Sequence, residues 1–255
     1  MAEVIKNRKY TKLWVDDFNS SDVERYNSKW FNKFEKNTKH IEQVRILKKY
    51  LKESSIWLDA PVGSGRFYEE IRHDKSKYFA LDYSNVFLKY VKSKYNLKDY
   101  NLFKRDLYNI NMNNSKFDII SCFNTLFALD NIEIILNNFK EILNDDGILI
   151  FDVKYNSSKM IKEESDYNQF TKIEIIKIIK EINLELLEII EHDFYDSKWF
   201  NKIKNSNILS VKILFKVIYS FLNFTYRISI FKFLFLLVQK KKLPKEKLIL
   251  VCKKK

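Results

Sequence analysis

Trp57-Leu-Asp-Ala-Pro-Val-Gly-Ser-Gly-Arg-Phe67 holds two of the three glycines of a 255-residue chain, Gly63 and Gly65, in one short loop. An apolar run ending in an acid precedes them and an amphipathic run follows, so the stretch reads as a strand, a tight loop and a helix start. In a chain so poor in glycine, the pair marks a backbone that takes left-handed dihedrals or passes close to a ligand. The crevice beyond the carboxyl end of a parallel strand is where open α/β sheets bind cofactors. A tight strand-to-helix turn that binds nothing is the competing reading.

Outward from this loop, short apolar runs alternate with amphipathic ones. Strands are predicted at 56–60, 78–81, 101–104, 117–122 and 148–153, with helices at 66–73, 86–95 and 132–143 between them. A first helix is predicted from Ile41, where Ile41, Val44, Leu47 and Leu51 keep helical spacing. Thr171-x-x-Glu174 is a capping box opening another helix, and Asn183 suits its left-handed stop. Sixth and seventh strands are expected at 184–194 and 247–252. Strands alternating with helices predict a doubly wound α/β sheet.

Composition narrows the class further. Three glycines and two prolines stand against roughly 18 and 13 at ordinary usage, which argues against an all-β chain of many tight turns. Cys122 and Cys252 sit in apolar runs and form no spaced set with His, which predicts a reduced, cytoplasmic protein with no disulfide framework and no metal site. The net charge is +13, and residues 196–255 hold 14 Lys and Arg227 against Asp196 and Glu246. The rest of the chain is therefore neutral. The expected organisation is an N-terminal helical cap at 1–38, an α/β core at 39–195, a basic aromatic-rich helical insertion at 196–244, and a last core strand with a basic tail at 245–255.

Within the insertion, Lys212, Lys216, Ser220, Asn223 and Arg227 recur at helical steps, with Phe215, Tyr219, Phe221 and Phe224 among the apolar residues and Lys240 to Lys242 following. A wide apolar face with a cationic stripe is the pattern of an interfacial helix on an anionic membrane. The same aromatics also suit a lid over a substrate or a homodimer contact. Residues 207–242 are too apolar for a groove that tracks phosphates, which argues against nucleic acid. MAEVIKNRKY lacks the apolar run of a signal peptide, and no apolar stretch reaches spanning length, so the expectation is a cytoplasmic protein, peripheral on the inner membrane face.

The loop also discriminates among cofactors. A phosphate-binding Walker loop would need Lys-Ser/Thr after its last glycine, where Arg66 and Phe67 stand, and a dinucleotide fingerprint would need a small residue at Tyr68. Asp82 ends the second strand, where a carboxylate can accept hydrogen bonds from two ribose hydroxyls. Asp106 follows the third strand, where it can accept from an exocyclic amine.

Taken in order, these segments resemble the class I S-adenosylmethionine-dependent methyltransferases. WLDAPVGSGRF resembles the family's first motif, ALDYS its second-strand motif, RDLYNINMNNSKFDIISCFNTLFAL the adenine-contacting segment and fourth strand, LNDDGILIFDV the fifth strand, and EKLILVCKK the seventh. The resemblance covers about 40–195 and 245–255, and implies a seven-stranded Rossmann-like sheet whose last strand is antiparallel. It implies S-adenosylmethionine as cofactor and S-adenosylhomocysteine as product. By the same resemblance, Asp59, Ala60, Gly63 and Gly65 hold the methionine portion, Asp82 the ribose with Tyr83 packing nearby, and Asp106 and Leu107 frame the adenine. Asn124 lies beside the sulfonium. Pro61 departs from the first motif's usual glycine, and Phe127-Ala128 stands where relatives often carry a His.

Methyl transfer needs positioning and exclusion of water, and a general base only where the acceptor must lose a proton. His192, at the end of the predicted sixth strand, is the favoured candidate for that role, with Tyr155 and Asp152 at the end of the predicted fifth strand as further pocket candidates. The expected activity is O-methylation of a small polar or lipid-linked acceptor, a sugar or phosphorylated precursor of a surface polysaccharide. An isoprenoid-quinone-type lipid acceptor and a non-catalytic methyltransferase-like module are the alternatives, and RNA methylation ranks third because the segment Cys122-Phe-Asn-Thr lacks a base-flipping motif.

Overall fold

The computed structural model describes residues 21–25, 34–110, 112, 115–155, 168–193 and 245–255. Apolar residues at alternate positions of the central strands face two separate cores. Leu149, Phe151 and Val153 pack into one with Leu248, Leu250 and Cys252, while Ile150, Ile249 and Val251 pack into the other. Strands buried on both faces need helices on both faces, and that requirement dictates the layering.

Among the described residues, eight strands form one sheet: β1 (Trp57–Asp59), β2 (Tyr78–Asp82), β3 (Leu102–Lys104), β4 (Phe117–Cys122), β5 (Leu143–Tyr155), β6 (Gln169–Phe170), β7 (Leu184–Asp193) and β8 (Lys245–Lys254). The order is β3-β2-β1-β4-β5-β8-β7, with β6 pairing β5 off this path. β1 to β5 are parallel, and β8 runs antiparallel between β5 and β7. The Rossmann-like α/β sheet with its antiparallel last strand is thus present, with β6 as a short addition. β1 lies between β2 and β4, so chain order reverses there and opens a crevice at the carboxyl end of β1.

The helices are α1 (Phe34–Tyr50), α2 (Arg66–Ile71), α3 (Asn85–Tyr95), α4 (Ile132–Ile142) and α5 (Lys172–Glu181). α1, α2 and α3 cover the face of Trp57 and Tyr78, and α4 and α5 cover the other. Thr171 caps α5 reciprocally with Glu174, and Asn183 follows with φ 56°. Two sequence expectations move: α1 begins at Phe34, upstream of Ile41, and β5 runs from Leu143 to Tyr155, longer at both ends than the predicted 148–153, so Tyr155 belongs to the strand and does not follow it. The insertion at 196–244 and most of the cap at 1–38 lie outside the described residues. Among the described residues no helix is long and apolar enough to cross a membrane.

Candidate functional site

The loop after β1 is held by its own backbone and by its neighbours. Ala60 N–H donates to the Ser121 carbonyl at 2.9 Å, Val62 N–H to Leu81 at 2.8 Å, and Gly65 N–H to Val62 at 3.0 Å. The Ala60–Pro61 peptide is cis. Both glycines have positive φ, 53° at Gly63 and 68° at Gly65, but they serve different ends. A Cβ on Gly65 would stand 2.6 Å from Tyr95 Cε2 and 2.9 Å from Val91 Cγ1, so this glycine lets α3 approach the start of α2. A Cβ on Gly63 would meet nothing within 4 Å, which leaves open space over the loop.

Asp82 is the loop's anchor on β2. Its Oδ2 accepts from Gly63 N–H at 2.9 Å and its Oδ1 from Ser84 N–H at 2.9 Å. Burial raises its pKa to about 6 against the opposing pull of those N–H groups. Asp59 is buried deeper, accepting from Ser121 Oγ at 3.0 Å and Tyr78 Oη at 3.4 Å. Burial raises it to about 7, partly offset by Ser121 and the Arg66 charge. Two buried acids with raised pKa values beside an open loop make a site that favours a cationic, hydrogen-bond-donating ligand.

The other expected residues lie along the same edge of the sheet. Tyr83 is 38% exposed beside Asp82. Asp106 turns the chain after β3, its Oδ1 accepting from Tyr108 N–H at 3.0 Å, and the carbonyl of buried Leu107 accepts from Asn138 on α4 at 2.9 Å. Asn124 follows β4 with φ 59°. His192 lies within β7, opposite Lys247 of β8, and its side chain is outside the described residues. Tyr155 ends β5 and packs against the α4–α5 core.

A second group was legible only in part. Asp152 is fully buried on the α1 face of β5, its Oδ1 accepting from Asn124 N–H at 2.7 Å. Its Oδ2 accepts from Gln43 Nε2 of α1 at 2.7 Å and Lys247 Nζ of β8 at 2.9 Å. Lys247 Nζ also donates to Asn124 Oδ1 at 3.1 Å and lies 4.9 Å from the centre of the Phe127 ring. Lys39, one turn before Gln43 on α1, brings a second buried amine against that of Lys247. Burial and the Lys247 charge hold the Lys39 amine well below the ordinary lysine value. Burial alone would raise Asp152, but Lys247 and Lys39 outweigh it and keep the carboxyl below its usual range.

Arg66, at the start of α2, acts electrostatically on both Asp59 and Lys39 and so links this group to the glycine loop. A surface cavity among Lys48, Lys52, Arg72 and Lys77 lies instead by the amino ends of β1 and β2, away from both. Among the described residues no cluster of His, Cys, Asp and Glu could hold a metal ion.

Residues 58–151, from β1 into β5, match a family model described as a methyltransferase domain. No curated protein matches the sequence. The fold is similar to that of a SAM-dependent methyltransferase from Thermotoga maritima, possible histamine N-methyltransferase, at 15% identity over 92% of this chain and 97% of that one, TM-score 0.58. It is similar to an O-methyltransferase from a trans-AT PKS multienzyme of Brevibacillus brevis, solved with S-adenosyl-L-homocysteine, at 16% identity over 94% and 81%, TM-score 0.56. The [4+2]-cyclase SpnF shares the fold too, at 10% identity over 84% and 80%, TM-score 0.56, a reminder that this sheet hosts more than one chemistry. The methyltransferase-domain match over residues 58–151, set on a sheet with an open glycine loop and acids at the ends of β1 and β2, supports an S-adenosylmethionine-dependent methyltransferase.

Proposed function

We propose that the chain methylates a hydroxyl of a small polar or lipid-linked acceptor, a sugar or phosphorylated precursor of a surface polysaccharide. The observation that carries the cofactor half of this reading is the open space over Gly63, flanked by Asp59 and Asp82. In this reading Asp59, Ala60, Gly63 and Gly65 receive the methionine portion, Asp82 and Tyr83 the ribose, Asp106 and Leu107 the adenine, and Asn124 faces the reacting methyl. When bound, S-adenosylmethionine supplies a methyl carbon already activated by its sulfonium. The protein's own residues orient the acceptor, exclude water and receive a proton. The acceptor half is supported by the Brevibacillus brevis O-methyltransferase neighbour and by the basic, aromatic-rich sequence of 207–242, which suits an acceptor made at an anionic membrane.

The test is an acceptor panel given to the full chain with S-adenosylmethionine: a nucleotide sugar, a polyprenyl-phosphate sugar, a phenolic lipid, a primary amine and a short RNA. S-adenosylhomocysteine release is expected with the sugars and not with RNA. Release with RNA or the amine alone would end the hydroxyl reading. Co-sedimentation with anionic vesicles, weakened by salt and by Lys212→Glu with Lys216→Glu, tests the membrane part; equal recovery on zwitterionic vesicles would remove it and favour a lid or dimer contact.

A further inference from the structure

Four side chains from four parts of the fold close on one another: Gln43 of α1, Asn124 after β4, Asp152 of β5 and Lys247 of β8. Asp152 stands where the alternation Ile148, Ile150 would place another apolar residue, and Lys247 stands two positions before Ile249. Gln43, Asp152 and Lys247 are buried. Asp152 Oδ2 accepts from both Gln43 Nε2 and Lys247 Nζ, and its Oδ1 accepts from the backbone N–H of Asn124 at 2.7 Å. The side-chain amide of Asn124 is engaged too: its Oδ1 accepts from Lys247 at 3.1 Å and its Nδ2 donates to Gln43 Oε1 at 3.4 Å. A lysine ammonium has three hydrogens to place, and Lys247 meets Asp152, Asn124 and the face of Phe127. Buried charges persist where they are paired and hydrogen-bonded, and Asn124 completes that condition here.

The arrangement decides what Asn124 offers the crevice. Its φ is 59°, a left-handed conformation that Asn tolerates better than most residues with a side chain, and its amide is turned toward buried partners. The backbone of the turn is what remains for a ligand. Contacts place that turn against the glycine loop. The Phe123 ring, one residue earlier, lies 4.8 Å from that of Phe67 at the start of α2, and both pack in the core cluster that holds Val62. β4 pairs with β1 just before the turn, Ser121 opposite Asp59. Further along, the Phe127 carbonyl accepts from Asn168 N–H at 2.8 Å, so the turn is held at both ends.

We propose that Gln43, Asp152 and Lys247 are positioning residues for the cofactor: they fix Asn124 in its left-handed turn, so that its backbone, and not its side chain, borders the reacting methyl. This rests on the reading above that Asn124 faces the methyl. None of the three touches the cofactor in this role. They act through Asn124 alone, and damage to any of them reaches the crevice by releasing the turn.

The experiment is calorimetric titration of the full chain with S-adenosylhomocysteine, each variant held well below its own unfolding midpoint so that lost stability does not enter. Asn124→Ala and Asn124→Gly both remove the side chain, but only glycine takes positive φ freely. The affinity of Asn124→Ala should therefore fall about tenfold below that of Asn124→Gly. Lys247→Met and Gln43→Leu should each weaken binding about threefold or more, and one well-folded variant of the two suffices. Hydrogen exchange at the Asn124 amide, which donates to Asp152, should quicken about tenfold in the same variant. Unchanged affinity in a folded Lys247→Met or Gln43→Leu, or weaker binding without faster exchange, overturns the proposal and leaves the group a structural one. Equal losses in Asn124→Ala and Asn124→Gly overturn it too, because they make the side chain the ligand while keeping the turn at the cofactor. Wild-type affinity in both Asn124 variants overturns it together with the reading on which it rests, since the cofactor then lies away from the turn.

Discussion

The loop after β1 and the group around Asp152 both lie within the field of Arg66, yet they are built on different principles. The loop is compact: Asp59 to Gly65 span seven positions, and Leu81 and Asp82 at the end of the next strand, with Ser121 on β4, fix it. The Asp152 group is assembled from α1, β5, β8 and the turn after β4, with partners as far as 109 positions apart. A local site depends on backbone conformation and on who may approach it. An assembled site depends on the whole sheet closing, so damage to it should appear first as lost stability.

Removing the carboxylate at the centre of the assembled group should give the largest effect. Asp152→Ala leaves Lys247 and Gln43 buried without their shared acceptor, and breaking a buried pair costs about 3–5 kcal/mol. The measurement is urea unfolding of the variant without ligand. A loss under 1 kcal/mol would mean that water reaches the group and that the comparison with the loop is false.

Next come the two glycines, which separate packing from ligand approach within the loop itself. Gly65→Ala puts a Cβ into Tyr95 and Val91 at a left-handed φ; strain and overpacking together should cost about 2–4 kcal/mol. Gly63→Ala pays only the conformational penalty, about 1–2 kcal/mol, but its methyl fills the space over the loop. Calorimetry should therefore show weaker S-adenosylhomocysteine binding in folded Gly63→Ala. Equal stability losses in the two variants would erase the distinction.

Removing the loop's anchor should change stability and binding together. Asp82→Ala removes a carboxylate that accepts from Gly63 and Ser84, and hydrogen bonds to a charged group contribute about 1.5–3 kcal/mol each. The expected loss of S-adenosylhomocysteine affinity is at least tenfold. Unchanged affinity in a folded variant would place the cofactor elsewhere.

The same contrast explains what the sequence revealed. Glycines at 63 and 65, acids at strand ends and the Thr171–Glu174 box are each signals within a few residues, and the loop, the alternation of strands and helices and the α5 cap were readable from such local signals. β6 is two residues long and carries no periodicity to detect. Lys39 sits amid polar neighbours in Asn37 to Gln43, and only the packing of α1 on the sheet buries it. Asp152 did leave a trace, because a carboxylate two positions after Ile150 breaks the apolar alternation of a strand buried on both sides.

The mildest test uses pH and sets stability against binding. Asp59 and Asp82 have folded pKa values raised to about 7 and about 6, above the ordinary carboxylate value of about 3.9 in the unfolded chain. Between those values the folded state binds more protons than the unfolded one, so the stability of the ligand-free protein, as far as these two acids set it, falls as pH rises from about 4 to 7 and then levels off. Ligand affinity should run the opposite way. If the methionine ammonium sits against ionised Asp59, binding requires the deprotonated acid, which is about half populated at pH 7 and about one tenth at pH 6. Affinity for S-adenosylhomocysteine should thus drop about fivefold between those two pH values. Asp59→Asn should flatten both dependences, raising ligand-free stability at pH 8 while weakening binding there. Binding that stays constant from pH 8 to pH 6 would show that Asp59 supports the loop through Ser121 and Tyr78 without facing the ligand.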